Sequence, residues 1–598
     1  MGRTADRWSA SLALIIILCL FCGPLFIGLG RWDLQSDEAG YSYAIDRMLE
    51  TGDWMTPRQI RFDTPLLDKP PLKLWIVAGA IQSGLLPHDE FGFRFIDALL
   101  GGFAFVYVFW IGHWLAGPLC GVAAILVLFT FPPLLFDHGL RSNNMDAALM
   151  LAYCGGIFHF AAWVENGGRR RTPVHAWAAV AYVVLGFMTK FVAVAFLPLV
   201  WVLGLWWRSD GRIRLHSHWR DWVVPSLVAA ALITPWFAYQ AVHADQRLWQ
   251  TMWVEQVYAR FTGVIDARQL LPWHYYVSRL YSEMASVGSH WIAILGGLML
   301  GVRAWQGRSW LARLLLLWLI VPLALLSLGT SKFFHYTYPF LPPLALGAGA
   351  AAAAIFRAIH RTLARAEASA TTKLGHVVLR SWIEWALVAA AVLAVTLSIW
   401  TALEGRVQLG FAGVDLLRNS SIVRPLLVAA ILLGISRHRW IAARALAMAP
   451  VAVVLPVNAY TLTVNHLSSV DHDLRAVSGC AMMVRDARLE THVYVQSYYD
   501  LLDHTPYFYL RRVGPWIEHT ERLTNDEFDS RISAPGDQTL VILSSREYDV
   551  FAQQLAQREL PVPAAVALPF QGVLVTPGPF ETCAEAAVAA GGRRIDEP

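Results

Sequence analysis

Two acids stand side by side at Asp37-Glu38, and the turn Asp68-Lys69-Pro70-Pro71 sets a carboxylate beside an ammonium group ahead of a helix-starting proline pair. Carboxylates grouped in this way can accept a proton or offset developing positive charge; solvated loop acids look the same in sequence. Downstream, Asn143 and Asp146 stand at the spacing of a helix cap with an acid in its first turn. Arg141 and Lys190 are cations in tight turns, where each can hold a phosphate through charge-assisted hydrogen bonds or serve as a plain interfacial anchor. Glu255, Arg260, Lys332 and His335 complete the group. What these residues share is placement, since each falls in or at the edge of a polar break between apolar runs. Singly, each has an ordinary role at a membrane boundary; together they predict one polar cavity.

The apolar runs that must position them dominate the chain. Of its 598 residues, 56% are hydrophobic and 15% charged, more apolar surface than a soluble domain can bury. Stretches long enough to cross a hydrocarbon core recur from Ser11 to Tyr460, giving about thirteen predicted spans. They cover residues 11–30, 93–116, 118–135, 144–164, 174–189, 191–207, 221–241, 287–303, 310–328, 336–358, 381–402, 422–436 and 440–460. The first is read as a span and not as a cleaved signal peptide, because Arg31, Trp32 and Asp33 stand where small residues would be needed. With the N-terminus in the cytoplasm, the arginine-rich breaks at 169–171, 208–220, 303–313, 357–380 and 437–444 all fall on the cytoplasmic side. The connections 31–92, 137–143, 242–286 and 329–335 then face outward, and these carry the ionisable group. Residues 70–85 are apolar but short for a span and predict an amphipathic helix on the outer surface. The 26 tryptophans suit interfacial belts and ordinary packing alike. Ala345 to Ala354 reads as tight helix packing. The net charge of +4 is spread along the chain, with no basic patch for nucleic acid.

Residues 1–462 thus read as one transmembrane domain and residues 463–598 as a small soluble α/β domain outside the membrane. The latter has strand-like runs at Val493–Gln496 and Thr539–Ser544 and a helix-like Glu547–Arg558. Its Cys480 and Cys583 would meet an oxidising compartment, where a disulfide and two free thiols are both open. Cys19, Cys22, Cys120 and Cys154 lie in apolar helices and read as small hydrophobes.

The run Asp37-Glu38-Ala39-Gly40-Tyr41, the Asp68-Lys69-Pro70-Pro71 turn, and Ser331-Lys332 followed by His335-Tyr336 and Pro339 resemble the membrane GT-C glycosyltransferases. Within them the likeness is to the 4-amino-4-deoxy-L-arabinose lipid A transferase and protein O-mannosyltransferase-related branch. Pro235-Trp236, Trp253-Val254-Glu255, Arg260-Phe261 and Pro272-Trp273 to Tyr275-Tyr276 follow in the expected order, over roughly residues 10–460. The resemblance implies an all-α polytopic fold with a small C-terminal α/β periplasmic domain. It also implies a first outer loop whose acid, here Asp37, is the key catalytic carboxylate, with Glu38 and Asp68 beside it. Lys69, Lys190 and Arg260 would then stand near the carrier phosphate, joined by Arg141, while Asp146, Glu255, Lys332 and Tyr336 would line the substrate cavity. Asp68 stands where the lipid A transferases usually have Glu. Gly40 replaces an Arg and Gln256 a His, which sets the chain apart from strict aminoarabinose activity.

The chain has no glycine-rich phosphate loop and no cytoplasmic segment of Rossmann size, so a nucleotide donor is disfavoured. A sugar carried on polyprenyl phosphate fits, transferred by single displacement with inversion to an envelope lipid, glycan or protein at the periplasmic face of a bacterial inner membrane. No cofactor is required; a divalent metal stays open, with Asp37, Glu38 and Asp68 as oxygen ligands. The rival readings are a polysaccharide polymerase or ligase with a lipid-linked donor, and a lipid transporter or flippase. A transporter should place charges at mid-membrane and repeat its halves, and neither feature is visible.

Overall fold

A computed structural model describes residues 2–370, apart from 61–62, 167–171, 209–215, 245, 263–269 and 308. Beyond these it describes 382–404, 407–411, 414–419, 456–467, 492–495, 539–557, 565–568, 572–575, 581–589 and 592–595, with scattered positions that include Thr505, Phe508 and Tyr509. Among the described residues, seven helices are long and apolar enough to cross a bilayer: Trp8–Phe26, Glu90–Ala116, Asp146–Glu165, Pro173–Val194, Arg220–His243, Trp310–Leu328 and Phe334–Ala358. Shorter apolar helices at Pro118–Phe129, Phe196–Trp206, His290–Trp305 and Ala386–Thr401 coincide with further predicted spans. The chain is a multi-pass helical membrane protein, and every predicted span as far as 381–402 coincides with a helix. Those at 422–436 and 440–460 lie largely outside the described residues.

Helix α1 (Gly2–Ile17) continues through a π turn and a 3-10 turn to Phe26. The long connection after it contains α2 (Asp37–Thr51) and α3 (Leu72–Gln82). Asp89 caps α4 (Glu90–Ala116) by accepting from Gly92 N–H at 2.9 Å; Gly117, at φ 92°, ends it, and Pro118 opens α5 (Pro118–Phe129). The short α6 (Pro132–Phe136) leads to α7 (Asp146–Asn166), α8 (Thr172–Lys190) and α9 (Phe196–Trp206). Small residues let these helices touch: a Cβ on Gly112 would lie 2.7 Å from Gly121 Cα, joining α4 to α5. One on Gly296 would lie 2.1 Å from the Gly347 carbonyl carbon, and Ala345, Ala348, Ala350, Ala351 and Ala353 are all buried, in line with the tight packing predicted there.

Burial separates inner from outer helices. The apolar window of Asp146–Glu165 is 89% buried within the protein, that of Arg220–His243 only 11%, so the first is the bundle's core and the second faces lipid. One end of the bundle is tied by arginines: Arg208 to Glu165 at 2.7 Å, Arg313 to the Trp207 carbonyl at 2.9 Å and Arg357 to the Ala116 carbonyl at 2.8 Å. These belong to the basic breaks read from sequence. The opposite end carries α2, α3 and the starts of α4 and α7.

The amphipathic surface helix expected at 70–85 differs in one respect. Helix α3 does form, but it buries Leu74, Val77, Ala78 and Ile81 together with its one charge, Lys73, so its inner face holds the cation. An ion pair from Lys73 to Asp97 of α4 at 2.7 Å, with both side chains fully buried, makes that burial tolerable.

A hairpin of β1 (Val407–Phe411) and β2 (Val414–Asn419) precedes the C-terminal region. There β3 (His492–Val495), β4 (Thr520–Glu521), β5 (Thr539–Ser544), β6 (Ala565–Ala567), β7 (Gly572–Val575) and β8 (Arg593–Ile595) form a sheet in the order β4-β3-β5-β7-β6-β8. Strand β3 pairs parallel with β4 and β5 and the other pairs are antiparallel. Helices Ser545–Gln557 and Glu581–Ala589 accompany it, so the α/β expectation is met among the described residues. Cys480 and the side chain of Cys583 lie outside them, and with them the disulfide. The C-terminal region reaches the bundle: Tyr509 OH accepts from Leu34 N–H at 2.8 Å and donates to Glu90 at 3.0 Å, and Thr505 Oγ1 accepts from Ser36 N–H at 2.8 Å.

Candidate active site

Asp37 and Glu38 open α2, where the unpaired amides of a helix start favour negative charge. The residue before them, Ser36, sits at φ 48°, and His138 (φ 53°) and Phe191 (φ 48°) share this left-handed strain without being glycine. All three border the site, and such backbone strain gathers where the surrounding structure holds a functional geometry.

The two neighbouring acids part company here. Glu38 turns inward, 3% exposed, and its oxygens accept from Arg94 Nε at 2.6 Å, Arg94 Nη2 at 2.8 Å, Asn143 N–H at 2.7 Å and Gln35 N–H at 3.2 Å. Arg94 also donates to the carbonyls of Leu29, Trp32 and Asp33, so this α4 side chain binds the whole loop entering α2. Asn143 does not cap α7 as the sequence suggested. It donates to Ser42 Oγ at 2.8 Å and accepts from Lys73, extending the buried network to the Lys73–Asp97 pair. Asp37, half exposed, faces a polar cavity of about 410 Å³.

Six further predicted residues line that cavity with Asp37: Asp68, Lys69, Asp146, Lys190, Arg260 and Tyr336. Lys69 pairs with Asp68 at 2.9 Å and Lys190 with Asp146 at 2.6 Å; Arg260 donates to the Tyr336 hydroxyl, and the Lys190 ammonium lies 5.6 Å from the Tyr336 ring centre. His138 Nδ1 is 4.0 Å from Asp37, and its ring stacks on His335 at 4.6 Å. Burial, then the carboxylates of Asp37, Asp68 and Asp146, push the Tyr41 hydroxyl well above its usual range and keep it a neutral donor. An apolar groove of about 170 Å³ adjoins the cavity. Asp68, Lys69, Asp146, Lys190, Arg260 and Tyr336 line both, while Leu149, Val192, Phe196, Phe261, Leu326 and Phe340 line the groove alone.

Four predicted residues are not brought there. Glu38 is held by Arg94 as above. Arg141 lines a separate polar cavity and donates to the Ile27 carbonyl at 2.6 Å. Glu255 is exposed on the π-helical turn Gln250–Ala259, whose next residue, Gln256, lines the groove instead. Lys332 is 5% exposed and spends its ammonium on the Leu271 and Gly329 carbonyls, at 2.9 and 2.5 Å. The metal trio of Asp37, Glu38 and Asp68 does not assemble either, because Glu38 points away; among the described residues no three His, Cys, Asp or Glu side chains converge on one point. Sequence reasoning passed over Lys73, Arg94, Asp97 and His138. Arg94 and Asp97 did carry a signal, being ionisable residues one helical turn apart in an apolar span.

Residues 8–265 match the family described as dolichyl-phosphate-mannose-protein mannosyltransferase. An undecaprenyl phosphate-alpha-4-amino-4-deoxy-L-arabinose arabinosyl transferase 2 of Pseudomonas fluorescens is 28% identical over 357 residues, 58% of this chain and 57% of that protein. Arabinosyl transferase 1 of the same organism is 30% identical over 350 residues, 57% of this chain and 59% of that one. The match thus spans less than two thirds of these relatives. Among solved structures, ArnT from Cupriavidus metallidurans bound to undecaprenyl phosphate superposes with a TM-score of 0.55 at 18% identity, covering 97% of this chain and 99% of that one. The fold is GT-C. The apo state of the same ArnT gives 0.52 at 17% identity. The resemblance read from the Asp37, Asp68 and Lys332–Tyr336 motifs is therefore borne out, and the GT-C fold extends over the C-terminal region that those motifs did not reach.

Proposed function

We propose that this chain is an inverting glycosyltransferase taking sugar from a polyprenyl phosphate. The observation that carries the reading is the shared wall between a charged cavity and an apolar groove. A lipid-linked donor needs that pair, with the prenyl chain in the groove and the sugar phosphate at the junction. Lys69, Lys190 and Arg260 stand at that junction, and there they would neutralise the carrier phosphate as it leaves. The leaving group departs as an anion, so cations serve it better than an acid.

Asp37 acts on the acceptor. With a hydroxyl acceptor, its carboxylate takes the proton as the oxygen bonds to the anomeric carbon, the bond from that carbon to the phosphate breaks, and the configuration inverts. With an ionised phosphate acceptor no proton moves, and Asp37 offsets positive charge on the sugar instead. Tyr41 is placed to donate without ionising. On this reading residues 1–462 are the catalytic membrane domain and 463–598 a periplasmic domain, in a bacterial inner membrane with the N-terminus in the cytoplasm. The acceptor is an envelope lipid, with a glycan or protein as the alternatives. Mass spectrometry of envelope lipids and glycans from cells with and without the gene tests this. A sugar missing from one lipid in the deletion supports transfer and names the acceptor; an unchanged profile in cells that express the protein contradicts it.

A further inference from the structure

A second polar cavity, of about 380 Å³, lies beside the first. The end of the first span, the entry to α2 and the turn before α7 bound it, through residues such as Gly28, Trp32, Gln35, Phe136 and Ser142. Ser36, His138 and Asn144 line both cavities, so the two meet at the loop that presents Asp37.

Two guanidinium groups line it, in different states. Arg94 is committed to Glu38 and to the backbone of the loop. Arg141, 7% exposed, donates from Nη2 to Ile27 at 2.6 Å and to Leu467 at 3.4 Å, but its Nη1 has no hydrogen-bond partner among the described residues. Its guanidinium lies 5.5 Å from the Phe136 ring centre. Burial lowers it to about 9, which still leaves it charged at neutral pH. A buried cation with an unmet donor is costly unless an anion joins it. Of the acids on this wall, Glu38 is neutralised by Arg94, and Asp137 is exposed to solvent, where its charge is screened.

We propose that this cavity is the anion site for the acceptor, in which Arg141 holds a phosphate group of a lipid on the side of the Asp37 loop away from the donor. The inference rests on the transferase reading above. A planar guanidinium fork suits a phosphate, and the volume admits a phosphorylated sugar without its acyl chains. Gly28 and Leu29 follow directly on the first span, so those chains can stay in the bilayer.

The test is equilibrium binding to the full-length protein in nanodiscs, with a bisphosphorylated glucosamine-disaccharide lipid, the same lipid dephosphorylated, and inorganic phosphate as probes. Arg141→Gln should weaken the phosphorylated lipid about tenfold or more and leave the dephosphorylated one and polyprenyl phosphate unchanged. Gln35→Glu, which removes no contact of Arg141, should weaken the same lipid, more at low salt. Equal binding of the two lipids by the wild type, or loss of polyprenyl phosphate on changing Arg141, overturns the assignment. Arg141-dependent binding of inorganic phosphate without discrimination between the lipids also overturns it, since the site then serves free phosphate. Arg141-dependent lipid binding with no sugar transfer would support the site and count against the transferase reading alone.

Discussion

A carboxylate whose oxygens accept from Arg94, Asn143 and Gln35 has little left to offer a substrate, and Glu38 is such a group. Glu38→Gln should therefore act on stability, because it leaves the buried Arg94 without its counter-charge, at a cost of roughly 3–5 kcal/mol. Thermal unfolding of the purified variant should show the loss, with turnover per folded molecule close to wild type; a stable variant with little turnover would return Glu38 to the chemistry. Gly40 lines the polar cavity and Gln256 the apolar groove, so both departures from the aminoarabinose pattern fall on substrate-facing walls. The protein should accordingly fail to restore polymyxin resistance to a strain lacking its aminoarabinose transferase, and restoration would show those two side chains to be dispensable. Asp37, Asp68, Lys69, Asp146, Lys190, Arg260 and Tyr336 were legible in sequence because each interrupts apolar sequence at a loop or helix end. Arg141 and Lys332 look alike at that level, and only three-dimensional partners separate a cation committed to backbone carbonyls from one facing a cavity.

At the scale of elements, apolar run length located the membrane helices well, since the cost of unpaired backbone in lipid leaves few alternatives. It served α3 poorly. Nothing local to residues 72–82 announces that Lys73 meets Asp97, a pairing across the connection to α4 that turns a surface helix into a buried one. The contact of the C-terminal region with the catalytic loop was equally hidden, because Thr505 and Tyr509 are ordinary polar residues remote in sequence from Leu34 and Ser36. That contact predicts a kinetic effect. Tyr509→Phe combined with Thr505→Val removes two side-chain acceptors from the backbone that leads into Asp37, each worth about 0.5–1.5 kcal/mol. Turnover should fall roughly tenfold with the donor KM unchanged. Unaltered kinetics in a correctly folded double variant would mean that the C-terminal region only rests against the loop.

For the whole molecule, the arginines at one end of the bundle and the cavities at the other predict which side meets the cytoplasm. Reporter fusions at Arg170 and Asp503 should give opposite signals, cytoplasmic at the first and periplasmic at the second; matching signals would refute this arrangement. The central claim is that Asp37, between a donor cavity and its neighbour, performs the transfer. Asp37→Asn keeps size and hydrogen bonding, and at a half-exposed site it should leave insertion and thermal stability intact. Loss of a catalytic base or charge stabiliser typically removes a hundred- to ten-thousandfold in rate, roughly 3–5 kcal/mol of barrier. The decisive measurement is transfer of labelled sugar from a synthetic polyprenyl-phosphate donor by wild type and Asp37→Asn at equal thermal stability. A fall of that size with donor binding retained is the predicted result, and near-normal turnover by Asp37→Asn would contradict it.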